Sequence, residues 1–401
     1  MLNGHFAKTR RRAALVGANA LNTLFGPLLN LVVSLAVVRL YSLDLWGHFV
    51  SLLIAVQLAT HVLFWGNKEY LIRQYSRTPS RIAIHWQSNL ASRLPLLVLL
   101  GLVTAVLPVE GTRKLVLLAW AAAAVLQQSL EALVVYRRRF AAAFAADVLA
   151  MVLVLAVVLL SPPELSVDRL AGAFAAGQFL KFLLLGALFR GDLRHRWEGH
   201  VEWGYFMSAL PFFLLGLTGM LQSKTDLYCV AIFLDEEAIG RYQVLMHLLI
   251  YLQVMANIIL QPFLKNLYRL PVTALRRMTV RLSLAGVVIA ALGAVAAAIL
   301  LATLYHIHFS PAMLVIGGLF VMPIYGYIII IYRLYAANMS LHVLSINAGG
   351  IVANLILNLL LIATFGIFGA LIASTAAQWG MLAAYGWLER RIPEEPARPA
   401  S

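Results

Sequence analysis

The chain has 401 residues, of which 62% are hydrophobic and 12% charged, and a formal net charge of +14. Soluble domains carry about 25% charge, so a soluble globular class is excluded, and the single cysteine, Cys229, excludes an internal disulfide. The basic balance is read as the loop bias of a membrane protein, not as a nucleic-acid footprint.

A helix needs about 20 apolar residues to cross a hydrocarbon core of about 30 Å. Twelve such runs occur in chain order: 14–38, 45–66, 94–109, 115–136, 141–161, 170–189, 205–234, 240–262, 282–304, 311–332, 341–364 and 367–388. The first follows KTRRR (8–12); it is too long for a cleaved signal sequence and is read as a retained helix. Of the 31 Lys and Arg residues, only Arg39, Arg113, Lys114, Arg169 and Arg241 fall in connections opposite the termini, and Lys181 and Lys224 lie within spans. The positive-inside rule then puts both termini in the cytoplasm. The basic inner loops would attract anionic membrane lipids.

A faint repeat relates the halves. Asp44-Leu-Trp-Gly47-His-Phe49 opens the second span, and Glu237-Ala-Ile-Gly240-Arg-Tyr242 opens the eighth, with Gly26 and Asn30 matching Gly219 and Ser223 at the same displacement. The expected organisation is an N-terminal lobe (1–190), a cytoplasmic connection (191–203), a C-terminal lobe (204–388) and a short polar tail (389–401). Two lobes in parallel orientation put a substrate site between them.

Polar residues in the aligned spans fall at helical spacing. Asn19, Asn22, Thr23, Gly26, Asn30 and Ser34 share one face of the first span, and Ser208, Gly216, Gly219, Ser223 and Asp226 one face of the seventh. Such stripes serve helix packing in lipid or line a cleft, with Pro27 and Pro211 as kinks. GMLQSKT (219–225) has Ser223 where a phosphate-binding loop needs glycine before its lysine, so no nucleotide site is indicated.

Glu131, Asp147, Lys181, Lys224 and Asp226 lie within spans. Facing lipid, the five would cost on the order of 12 to 17 kcal/mol together, more than typical net stability, so most must face inward. Buried ion pairs, such as Lys181 with Asp226, are one account, and a cationic lumen for anionic cargo is the other. Lys224 and Asp226, two residues apart, project to opposite sides of their helix and each needs its own partner. Amide stripes at Gln127 and Glu131, at Asn347, Asn354 and Asn358, and at Gln253, Asn257 and Gln261, like the single histidines His61 and His247, fit packing. No HExxH, paired cysteine or metal-like cluster appears, and the outer connections are too short to build a catalytic site.

The runs VVRLYSLDLWGHF, FWGNKEYLIRQYS, PFFLLGLTGMLQSKTDLYCV, EEAIGRYQV and LQPFLKNLYR resemble the polysaccharide-transport branch of the multidrug, oligosaccharidyl-lipid and polysaccharide exporter superfamily, in particular bacterial Wzx-type O-antigen flippases. The resemblance implies an all-α polytopic fold of twelve transmembrane helices in two pseudo-symmetric six-helix lobes around a central cavity, in the bacterial inner membrane. It implies a non-enzymatic activity, the turning of an undecaprenyl-diphosphate-linked oligosaccharide from the cytoplasmic to the periplasmic leaflet by alternating access. Such proteins have a cation-lined lumen, which Lys181 and Lys224 would supply. Unlike the drug-exporting relatives, the first span has no carboxylate for a coupling cation.

On this reading Lys181 and Lys224 contact the anionic head, and Asn19, Asn22, Asn30 and Asn354 meet sugar hydroxyls. Asp226, Glu131 and Asp147 balance charge or couple an ion, H+ or Na+. Arg73, Arg77, Arg137, Arg138, Arg139 and Arg269 gather substrate at the cytoplasmic entrance. No cofactor is implied, and other polysaccharide assembly proteins are expected partners. The rival readings are a cation-coupled drug antiporter, a major-facilitator carrier whose loop signature is missing from 67–93, and a non-transport scaffold of an assembly complex.

Overall fold

The computed structural model describes residues 28–161, 164–194, 196–260, 267, 270–337 and 339–391. Among them every regular element is helical. They are α1 (Leu28–Leu40), α2 (Leu43–Phe64), α3 (Asn67–Arg77), α4 (Ile82–Ala91), α5 (Leu94–Val106), α6 (Gly111–Ser129), α7 (Glu131–Tyr136), α8 (Phe140–Leu160), α9 (Val167–Leu188), α10 (Arg190–Leu193), α11 (Trp203–Phe233), α12 (Glu236–Leu260), α13 (Val272–Leu300), α14 (Pro311–Ala336) and α15 (Ser340–Glu389). Nine helical segments of the described residues are long and apolar enough to cross a membrane, and a tenth is the bent pair Trp203–Leu214 and Gly216–Phe233, at 45° close to Pro211. The protein is a multi-pass membrane protein.

Two compact units divide the chain. One is Val32–Met220; the other takes residues 28–31 and the described residues from Leu221 onward, so the division passes through α11.

In the N-terminal unit α6 packs against α9 and α2, and α8 against α9. The expected loop 67–93 is mostly helix. Asn67, Leu71 and Tyr75, four residues apart, form the buried face of α3, a 3.6-residue pattern hidden among charges. Trp65 (φ 44°) and Gly66 (φ 66°) turn α2 into α3. That turn is fastened to α11: Trp65 stacks on Phe213 at 4.1 Å between ring centres, and its Nε1 donates to the Phe206 carbonyl at 2.9 Å. The Tyr205 hydroxyl donates to the carbonyls of Phe64 (3.2 Å) and Trp65 (3.1 Å). The extended segment before α11 takes its hydrogen bonds from α4 side chains. Gln87 Oε1 accepts from the Glu198 amide at 2.9 Å, Ser88 Oγ from that of His200 at 3.4 Å, and Ser92 Oγ from that of Glu202 at 2.9 Å.

In the C-terminal unit small residues make the contacts and large ones face out, as packing in lipid favours. Gly286, Ala290, Gly293 and Ala297 form the buried stripe of α13, while Leu284, Val288, Leu292, Val295 and Ile299 are exposed. A side chain at Gly286 would run into Tyr325, and one at Gly293 into Leu252. The 50 residues of α15 would make a rod of about 75 Å if straight, far beyond a bilayer core. Gly366 (φ 57°, ψ −138°) breaks it. The arms fold back on each other: the Tyr385 hydroxyl meets Asn347 Oδ1 at 2.7 Å, Asn354 Nδ2 meets Ser374 Oγ at 3.1 Å, and Gly350 lies against Met381, all centred close to Gly366. The two predicted spans 341–364 and 367–388 are this hairpin.

Candidate substrate and coupling site

Asp226 sits in the last third of α11 and is 5% exposed. Its Oδ2 accepts from the Tyr242 hydroxyl of α12 at 2.7 Å and from Ser374 Oγ of α15 at 3.1 Å. Its Oδ1 accepts from the following amide, of Leu227, at 2.8 Å. The chain of donors extends further along α15: Asn354 Nδ2 donates to Ser374 Oγ at 3.1 Å, and Asn358 Nδ2 to Asn354 Oδ1 at 2.5 Å. A carboxylate in a span is tolerable only if its lone pairs are met inside the protein. Here donors on two other helices and its own backbone meet them, the arrangement that sequence spacing required without identifying the partners. In the sequence Tyr242 stands out only as the aromatic of the repeated motif, and Ser374 carries no signal at all.

Lys224 lies half-buried on the other side of α11. It makes no hydrogen bond or ion pair with the described residues, and Asp226 and His247 are the titratable groups that feel its charge. His247 is itself bonded to Gln243. Lys181 is held differently: its ammonium pairs with Asp147 across the α8–α9 contact, with side-chain exposures of 16% and 44%. Its partner is thus Asp147, not Asp226. The pair follows from chain geometry, because Asp147 and Lys181 stand equally far along neighbouring antiparallel helices from the α8–α9 connection.

Glu131 begins α7 after a break at Leu130, accepts from Gln127 at 3.4 Å and stands 3.8 Å from the Lys68 ammonium. Asn30 is exposed on α1, and Arg73, Arg77, Arg138 and Arg139 are exposed. Arg137 ion-pairs with Asp192. Asn19, Asn22 and Arg269 lie outside the described residues.

No family model matches the sequence, and no curated protein matches it. Solved structures do. The eukaryotic MATE transporter AtDTX14 superposes with a TM-score of 0.52 at 14% identity, over 98% of this chain and 97% of that one. The chain has the fold of a MATE transporter. The lipid II flippase MurJ in its inward closed conformation aligns at a TM-score of 0.48 and 12% identity over 94% of this chain and 88% of that one. A MATE transporter of Vibrio cholerae, VcmN, aligns at 0.42 and 15% over 96% and 98%. At these identities the likeness is one of fold alone.

Proposed function

We propose that the protein flips an undecaprenyl-diphosphate-linked oligosaccharide, the Wzx-type reaction, from the cytoplasmic to the periplasmic leaflet. The observation that carries this reading is Lys224: a half-buried ammonium inside a span, without a fixed partner among the described residues, in a chain with an exporter's fold. The diphosphate head and sugar hydroxyls cannot cross hydrocarbon unaided, whereas the polyprenyl tail can stay in lipid. Lysine suits the task because it attracts phosphate as a compact charge on a flexible stem without clamping it. Asn354, already one step from Asp226, presents amide groups suited to hydroxyls. Lys181 joins the cycle only when Asp147 releases it, so an anionic head competes with that carboxylate. The exposed Arg73, Arg77, Arg138 and Arg139 collect the head group at the entrance, with Arg269 assigned there from sequence.

The test is flipping of labelled undecaprenyl-diphosphate oligosaccharide in proteoliposomes. Removing one charged hydrogen-bonding contact costs about 1.5 to 3 kcal/mol, so Lys224→Gln should slow flipping by about 10- to 100-fold at equal reconstitution. Undiminished flipping by that variant removes the site assignment.

A second reading, cation-coupled antiport, is favoured by Asp226. A proton or Na+ arriving there must turn away a donor, since Tyr242, Ser374 and the Leu227 amide all point at its oxygens. Ion loading and helix contacts are thereby joined in one residue. Export of cationic drugs that survives loss of both lysines and ends with Asp226→Asn would decide for this reading.

A further inference from the structure

Four polar side chains in the interior of the N-terminal unit are not absorbed by the transport site. Arg93 is 0% exposed, Asn67 0%, Tyr75 0% and Asn89 3%. Neither atom of the Asn67 and Asn89 amides, nor the Tyr75 hydroxyl, nor Arg93 Nε or Nη1 has a hydrogen-bond partner. Asn67 and Tyr75 lie two turns apart on the buried face of α3. Asn89 and Arg93 lie one turn apart where α4 runs on toward α5, with the Ser92 amide donating to the Ser88 carbonyl and the Leu97 amide to that of Arg93. The helices α3 and α4 pack on each other, and Tyr75 and Arg93 are close enough to feel each other's charge. The unmet atoms therefore all lie in the interior about the α3–α4 contact, where Tyr75 shares a buried cluster with Leu71, Ile82, Leu130 and Leu133.

Arg93 Nη2 donates to the Phe64 carbonyl at 3.2 Å, the guanidinium lies 5.5 Å from the Phe64 ring centre, and the Tyr205 hydroxyl, which bonds the same carbonyl, is its other polar neighbour. No carboxylate of the described residues pairs with it. The carboxylates of the surrounding segments have other partners: Asp192 with Arg137, Glu131 with Lys68, and Glu202, whose amide bonds Ser92, with the His200 ring at 3.9 Å. Water could meet the free N–H groups, yet it would leave a whole buried charge unbalanced, a state that costs several kcal/mol. The available groups are chiefly donors, from the guanidinium, the two amides and the phenol. No second cation stands by to balance a divalent ion.

We propose that Arg93, Asn67, Asn89 and Tyr75 enclose a site for a small monovalent anion of the halide class, fastened beside the α2–α3 turn. The Phe64 carbonyl that Arg93 bonds also receives the Tyr205 hydroxyl, so the anion braces the turn that α11 grips. The probe is bromide, titrated into the purified full-length protein against gluconate at constant ionic strength while thermal unfolding is followed. A ligand that binds only the folded state raises the midpoint saturably, here by about 3 °C. Arg93→Gln should abolish the difference between the two salts, whereas Arg113→Gln, at a half-buried cation paired with Asp168, should keep it. If Arg93→Gln does not fold, the anomalous signal of bromide in crystals of the unaltered protein decides, with a peak expected between α3 and α4. Equal midpoints in bromide and gluconate, a rise that never saturates, or no peak there would overturn the proposal in favour of water alone.

Discussion

Lys224 and Lys181 carry the same charge in spans of comparable apolarity and are held in opposite ways, the first by no fixed partner among the described residues and the second by Asp147. For Lys181 the expected consequence is non-additivity. Lys181→Met alone strands a partly exposed carboxylate and should lower stability by about 1 to 3 kcal/mol, below the figure for a fully buried pair because Asp147 is 44% exposed. Adding Asp147→Leu should recover most of that loss, which a double-mutant cycle on detergent-solubilised protein measures. Asp226→Leu is the harsher case. It leaves the Tyr242 and Ser374 hydroxyls without their common acceptor, at about 1 to 3 kcal/mol per stranded group. A melting midpoint unchanged in that variant would contradict the network. Sequence made the charged half of this site legible, because an ionisable residue in a span declares itself by its cost. It did not disclose Tyr242, Ser374 or Arg93. A hydroxyl costs little in a helix and so leaves no mark, and Arg93 looked like one more cation in a basic loop until Tyr75 and Asn89 were seen to be buried with it.

At the level of elements, two glycines make turns that other residues resist, and they should respond differently to the same change. Gly366 (φ 57°) has nothing within 4 Å of where a methyl would go, whereas a methyl on Gly66 (φ 66°) would come within 2.7 Å of the Phe213 backbone nitrogen and 2.8 Å of the Ala209 carbonyl oxygen. Gly366→Ala therefore meets backbone strain alone, about 1 to 3 kcal/mol. Gly66→Ala adds a collision with a helix that cannot step aside, and should give markedly less monodisperse protein on size exclusion. Equal yields from the two would contradict the close approach of the α2–α3 turn to α11. The runs themselves were readable from hydropathy: each of the twelve predicted spans overlaps a described helix. What hydropathy missed is the region 67–93, where α3 hides an apolar and amide face under a charged one and α4 is a short helix between Arg81 and Arg93, and the break at Leu130.

On the scale of the whole molecule the orientation remains an expectation from charge, and the buried single thiol offers a clean way to check it. In a Cys229→Ser background, a cysteine at position 138 should react with a membrane-impermeant maleimide only from the cytoplasmic face, and one at position 113 only from the periplasmic face. The reverse pattern would invert the entrance assigned to Arg73, Arg77 and Arg138. Charge distribution carries that much because loops rich and poor in Lys and Arg alternate along the chain. It carries nothing about cargo, which depends on a few side chains at depth.

The hairpin closed by Gly366 also bears on how the protein enters the bilayer. Asn354 and Asn358 would pay dearly if the first arm entered lipid alone, since their amides would meet only hydrocarbon. Ser374 sits on the second arm, opposite Asn354, and the elbow between the arms is a single residue. The last two segments should therefore leave the insertion machinery as one object, side by side, and a stop codon placed at the elbow should yield a fragment that the membrane quality-control proteases remove.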